Sequence, residues 1–133
     1  MGLDKQSQTI LVVDDEHAIR GLVKIMLESE GYTVLTAGDA ETAIKICEGH
    51  QSAVALLLTD IVMPNINGVQ LADRVLQMEP RMRILFMSAS AGARPGDAYI
   101  AKPFALAELI SRVGETLRSP PTLQRAESAA ASN

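Results

Sequence analysis

Residues 9–31, TILVVDDEHAIRGLVKIMLESEG, decide the fold. The first five, Thr9 to Val13, are apolar or β-branched on both parities, as a strand buried on both faces requires. Then the period changes. Ile19, Leu22, Val23, Met26 and Leu27 recur at i, i+3, i+4, i+7 and i+8, the stripe of an amphipathic helix. Gly31 supplies a stop. Between strand and helix stands an acidic run, Asp14-Asp15-Glu16.

The same alternation continues down the chain. Tyr32 to Ala37 reads as a second strand, and Asp39 as the N-cap of a helix with Ala40, Ala43, Ile44 and Cys47 on its inner face. Cys47 is expected there as a small buried hydrophobe, not a nucleophile. Ala53 to Thr59, AVALLLT, is the most apolar run and the expected central strand. Asp60 to Gly68 forms a loop broken by Pro64 and Gly68. The next helix turns Leu71, Val75 and Met78 inward and ends before Pro80. Ile84 to Met87 is a fourth strand and Ala98 to Ala101 a short fifth. Ala105 to Leu117 is the last helix, with Leu106, Leu109, Ile110, Val113 and Leu117 on one stripe. This order implies an α/β fold, a doubly wound parallel sheet with helices on both faces. One domain is expected over residues 9–118. Residues 1–8 are expected as a disordered leader and residues 119–133 as a disordered tail or linker.

Composition narrows the function. The 133 residues carry a formal net charge of -4, two Phe, two Tyr and no Trp, so no basic or aromatic-rich surface for nucleic acid is available. One cysteine excludes a disulfide framework and a multi-Cys metal site. The polar stretch Met1 to Thr9 has no signal-peptide core. A cytoplasmic protein with no membrane or nucleic-acid partner is the expectation.

In parallel sheets of this kind ligands bind beyond the carboxyl ends of the strands. Four such ends carry reactive groups: Asp14-Asp15-Glu16 on the first strand, Asp60 on the third, Ser88 on the fourth and Lys102 on the fifth. Taken singly each has a bland explanation, since an Asp after a strand commonly caps a helix. Together they converge only in this fold. Carboxylates about 4 Å apart repel by roughly 4 kcal/mol per pair at an effective dielectric near 20. A raised pKa or a bound cation relieves this. An oxygen-rich site that keeps waters suits Mg2+. Lys102 adds a point charge for a phosphoryl oxygen, and Ser88 a hydroxyl donor. Such a set meets the needs of phosphoryl transfer, with a carboxylate as nucleophile. His17, just after the acid pair, is expected to be an exposed first-turn residue.

Asp14-Asp15, Asp60-x-x-Met63-Pro64-x-x-x-Gly68, Ser88-Ala89 and Lys102-Pro103-Phe104 resemble the receiver domain of two-component response regulators (CheY-like). The resemblance covers about Thr9 to Arg118. It implies the flavodoxin-like strand order 2-1-3-4-5. It also implies that Asp60 is the phosphoacceptor, and that Asp14, Asp15, Asp60 and the Val62 carbonyl hold Mg2+, or alternatively Mn2+. By the same resemblance Ser88 and Lys102 contact the phosphoryl group, Tyr99 is the switch aromatic, and Lys102-Pro103 is cis. The implied function is a phosphorylation-controlled signalling switch, not an enzyme beyond its own phosphotransfer and dephosphorylation. The implied partner is a histidine kinase or a histidine phosphotransfer protein. The chain is then a stand-alone regulator or a receiver excised from a longer hybrid kinase.

One segment departs from the family. Ala89 to Asp97 contains Gly92, Pro95 and Gly96, too few residues and too many breakers for the family's fourth helix. That helix is expected to be absent or reduced to a turn in an irregular, mobile segment. Ile84, Phe86 and Ile100 would then be partly exposed, making a contact for a downstream protein or a second copy near the fourth and fifth strands. Competing functions are an aspartate-nucleophile phosphohydrolase of the haloacid dehalogenase type, a binding module that has lost phosphorylation, and a flavin-binding protein. The first would want alternating acids where Asp14 and Asp15 are adjacent. The complete acid, Ser and Lys set argues against the second. The third would place a phosphate against Asp14-Asp15-Glu16.

Overall fold

The computed structural model describes residues 8–49, 53–89 and 96–121. Its elements are β1 (Thr9–Val13), α1 (His17–Glu28), β2 (Thr33–Ala37), α2 (Ala40–Gly49), β3 (Val54–Asp60), α3 (Gly68–Met78), β4 (Arg83–Ser88), β5 (Ala98–Ala101) and α4 (Leu106–Arg118). The strands form one parallel sheet in the order β2-β1-β3-β4-β5. This is the expected flavodoxin-like order, with its reversal between β1 and β3.

Strand alternation splits the core into two layers. Leu11, Val13, Leu57, Ile84 and Phe86 face α2 and α3, where Ala43, Cys47, Leu71 and Val75 meet them. Ile10, Val12, Leu56, Leu58, Leu85, Met87 and Ile100 face the other way, onto Val23, Leu27, Leu109 and Val113. Short-range chemistry sets the helix starts. The Thr42 N–H donates to Asp39 Oδ1 at 2.7 Å, which caps α2 and holds the Asp39 carboxyl below its ordinary pKa. At α3, Asn67 and Gln70 form a reciprocal capping box, with bonds of 2.8 and 2.9 Å. No helix among the described residues is long and apolar enough to cross a membrane.

The nine residues between β4 and β5 include a bend at Ala89 and a turn at Gly96, where φ is 90°. Four helices are present among the described residues, and none of them lies between β4 and β5. The expectation of an irregular Ala89 to Asp97 falls mainly on residues 90–95, outside the described residues. So do the leader at residues 1–7 and the tail at residues 122–133.

Three exposure expectations fail. Ile84 and Phe86 are fully buried and Ile100 is 1% exposed. Ile84 and Phe86 lie under α3, while parity turns Ile100 onto the α1 and α4 side, which keeps both its helices. The side chains that β5 presents on the other face are Tyr99 and Ala101, both exposed. The apolar patch on β4 and β5 that motivated a contact there is therefore not formed. Leu22 and Leu106, assigned to inner stripes, are each about half exposed. Leu106 opens α4 and Leu22 lies on the rim of the groove described below.

Candidate functional site

Asp14 stands one residue beyond β1 and is fully buried. Its N–H donates to the Ala37 carbonyl at 3.3 Å, which ties it to the end of β2. Its Oδ1 accepts the Glu16 N–H at 2.8 Å, closing a local turn. The N-cap of α1 is Glu16, with no side-chain cap, so the acid pair does not serve as the helix cap.

Asp60 is the last residue of β3, and its backbone carbonyl accepts the Thr59 hydroxyl at 2.9 Å. The loop then folds back, and the Gly68 N–H donates to the Ile61 carbonyl at 2.8 Å. A Cβ at Gly68 would lie 2.1 Å from the Asp60 carbonyl oxygen, so this turn needs glycine for close approach.

Lys102 follows β5, and its N–H donates to the Ser88 carbonyl at 2.8 Å. The Lys102-Pro103 bond is cis, as expected. Lys102 Nζ donates to Asp14 Oδ2 at 2.9 Å and to Asp60 Oδ2 at 3.1 Å, with Glu16 Oε1 at 4.0 Å. Burial works to lower the Lys102 pKa. The hydrogen bonds and charges of Asp14 and Asp60 outweigh it, and the ammonium ends above the ordinary lysine value.

Asp14, Asp15 and Asp60 each present a carboxylate oxygen within 4.8 Å of the others. Asp14 and Asp60 are buried and Asp15 is exposed, so one side opens to water. Three carboxylates against one ammonium leave two formal negative charges in excess. That donor set fits a hard divalent cation that keeps part of its water shell.

The other expected site residues take several positions. Ser88 ends β4 and is buried. Val62 is 73% exposed in the loop after Asp60, and Tyr99 is 46% exposed on β5. The Tyr99 backbone carbonyl accepts Arg112 Nη1 at 2.6 Å. His17 is exposed and opens α1, as expected. Sequence reasoning does not reach Arg20: its Nη1 donates to the Asp14 carbonyl, a contact across six residues that no motif marks. Beside Lys102 runs an apolar groove of about 410 Å³, lined by Ile19, Leu22, Met26, Pro103 and Phe104 among others.

The family model for the response regulator receiver domain matches residues 10–114. The chain belongs to the response regulator receiver domain family. This is a signalling family of phosphoacceptors, not an enzyme family. The chain is 38% identical over 120 residues to the DNA-binding transcriptional regulator NtrC of Azospirillum brasilense, covering 84% of this chain and 24% of that protein. It is 34% identical over 119 residues to the sensor kinase CckA of Brucella abortus, covering 84% of this chain and 13% of that one. It therefore spans only a fraction of the length of these relatives. Among solved structures, the receiver domain of the hybrid histidine kinase CckA matches with a TM-score of 0.76 at 32% identity, over 83% of this chain and 99% of that one. The response regulator TrrA of Thermotoga maritima, in complex with Mg2+ and BeF, matches with a TM-score of 0.73 at 33% identity, over 82% and 98% of the two chains.

Proposed function

We propose that this receiver domain takes a phosphoryl group on Asp60 from a phosphohistidine of a partner histidine kinase or phosphotransfer protein, with Mg2+ at Asp14, Asp15 and Asp60. The observation that carries this reading is the position of Lys102 Nζ between the Asp14 and Asp60 carboxylates, with Asp15 completing the acid cluster. An Asp60 carboxylate oxygen attacks phosphorus, the donor P–N bond breaks, and the imidazole leaves with the electron pair. Lys102 releases Asp60 to pair with a phosphoryl oxygen, and the Ser88 hydroxyl donates to another. When bound, Mg2+ supplies charge neutralisation between phosphoryl oxygens and carboxylates, and Val62 offers its carbonyl to it. The Thermotoga relative crystallised with Mg2+ and BeF supports this assignment.

Water attack on the acyl phosphate ends the signal, which makes the domain a party to its own dephosphorylation and nothing more enzymatic. Tyr99, exposed on β5, reports the state of Ser88 to a downstream partner. The groove beside Lys102 gives the phosphodonor an apolar seat next to Asp60. A cytoplasmic location follows from partners of this class.

Intact mass after incubation with acetyl phosphate and MgCl2 tests the proposal. The wild-type chain should gain one phosphoryl group and Asp60→Asn none. An adduct that persists in Asp60→Asn, or forms fully in chelator, overturns it.

A further inference from the structure

We infer that Arg20 is a positioning residue for the cation site, acting through the backbone of Asp14. This rests on the Mg2+ reading above and extends it to a residue outside the acid, Ser and Lys set. Arg20 lies on α1, yet its guanidinium reaches back over the β1–α1 turn. Nη1 donates to the Asp14 carbonyl at 2.7 Å, and Nη2 lies 3.0 Å from His17 Nδ1, which accepts in the Nε2–H tautomer. The same guanidinium passes the β2–α2 turn closely, since a Cβ at Gly38 would sit 3.3 Å from Nη1. Glycine leaves that path open.

One planar fork therefore bonds the start of α1 at His17 to the end of β1 at Asp14, and passes close to the turn at Gly38. Asp14 is the residue most tightly held in the site. Its N–H goes to Ala37, its Oδ1 to Glu16 and its Oδ2 to Lys102. Arg20 takes the remaining backbone group, the carbonyl. With both sides of the Asp14 peptide fixed, its carboxylate and the neighbouring Asp15 carboxylate hold their spacing to Asp60. Partners of metal-ligating residues typically tune affinity by tenfold or more in this way.

The charge of Arg20 makes the inference testable by sign. A guanidinium near a cation site repels the cation, so by field alone its removal should tighten Mg2+ binding. Positioning predicts the opposite. Isothermal titration of the full chain with MgCl2, together with urea unfolding in chelator, separates them. Arg20→Met should raise the Mg2+ Kd by about tenfold, with little change in the unfolding midpoint. An unchanged or lowered Kd overturns the inference, whatever happens to stability. Should Arg20→Met unfold too readily to titrate, Arg20→Lys decides, because it keeps the charge and loses the fork. A raised Kd in Arg20→Lys supports positioning, and a wild-type Kd overturns it. A wild-type chain that binds no Mg2+ defeats the cation site itself, and this inference with it. Normal Mg2+ binding by the wild-type chain with an unchanged Kd in the Arg20 variants fails this inference alone, which tells the two failures apart.

Discussion

Gly68 presses its α-carbon side directly against the Asp60 carbonyl, so that a methyl group there would lie 2.1 Å from the oxygen. The contact is backbone against backbone, and no flexible side chain can yield. Gly68→Ala must move either the α3 N-terminus or the end of β3. We expect a loss of about 1–3 kcal/mol in unfolding free energy, the range for overpacking. We also expect slower phosphoryl gain than wild type, because Asp60 is the residue displaced. Urea unfolding and a mass time course measure the two. Wild-type values in both would show that the turn relaxes freely.

Lys102 balances buried carboxylates, so its removal should act on charge before shape. Breaking a fully buried pair costs about 3–5 kcal/mol. Here Asp15 opens the site to water, and about 1–2 kcal/mol is expected for Lys102→Ala. Millimolar Mg2+ should return most of that stability, since it neutralises the same oxygens. Phosphoryl gain should stay slow even in Mg2+, because the point charge on the phosphoryl oxygen is gone. Thermal unfolding with and without MgCl2 checks the first part, and mass spectrometry the second.

Lys102 also fixes an alkaline limit. Its pKa is raised in the folded state, the hydrogen bonds and charges of Asp14 and Asp60 overcoming the burial that opposes them. A raised folded pKa means stability that is fully present below the unfolded lysine value of 10.5 and is lost as pH rises through the folded value. The urea midpoint should therefore fall more as pH rises above 10.5 in wild type than in Lys102→Ala. Equal slopes would show that Lys102 does not carry the alkaline loss.

Much of this was legible in the chain because it is local or periodic. Two-sided apolar runs mark β1, β3 and β4, and Asp39 marks its helix by a hydrogen bond three residues on. The site was legible because Asp14, Asp15, Asp60, Ser88 and Lys102 each lie at or just beyond a strand's carboxyl end, and a parallel sheet places all those ends on one rim. What escaped depends on three-dimensional approach. Arg20 acts on a backbone carbonyl six residues away, and its residue type carries no periodic signal. Ile100 escaped for a different reason. Strand parity decides which side of the sheet a β5 side chain meets, and Ile100 points to the side that α1 and α4 cover.

That correction gives the last prediction. Phe86 is fully buried on β4 in the layer with Leu71 and Val75, and Tyr99, its register partner on β5, is 46% exposed. If the reduced crossover bared β4, the two aromatic residues would respond alike to truncation. The structure separates them. Phe86→Ala empties a packed position and should cost about 3–5 kcal/mol. Tyr99→Ala leaves the backbone bond to Arg112 in place and removes a side chain already half in water. Its cost should stay near 1 kcal/mol or less. Urea unfolding of both variants decides the matter. A small loss for Phe86→Ala would restore an exposed β4 face and its candidate contact, whereas a large one leaves Tyr99 and Ala101 as the part of the sheet open on that side.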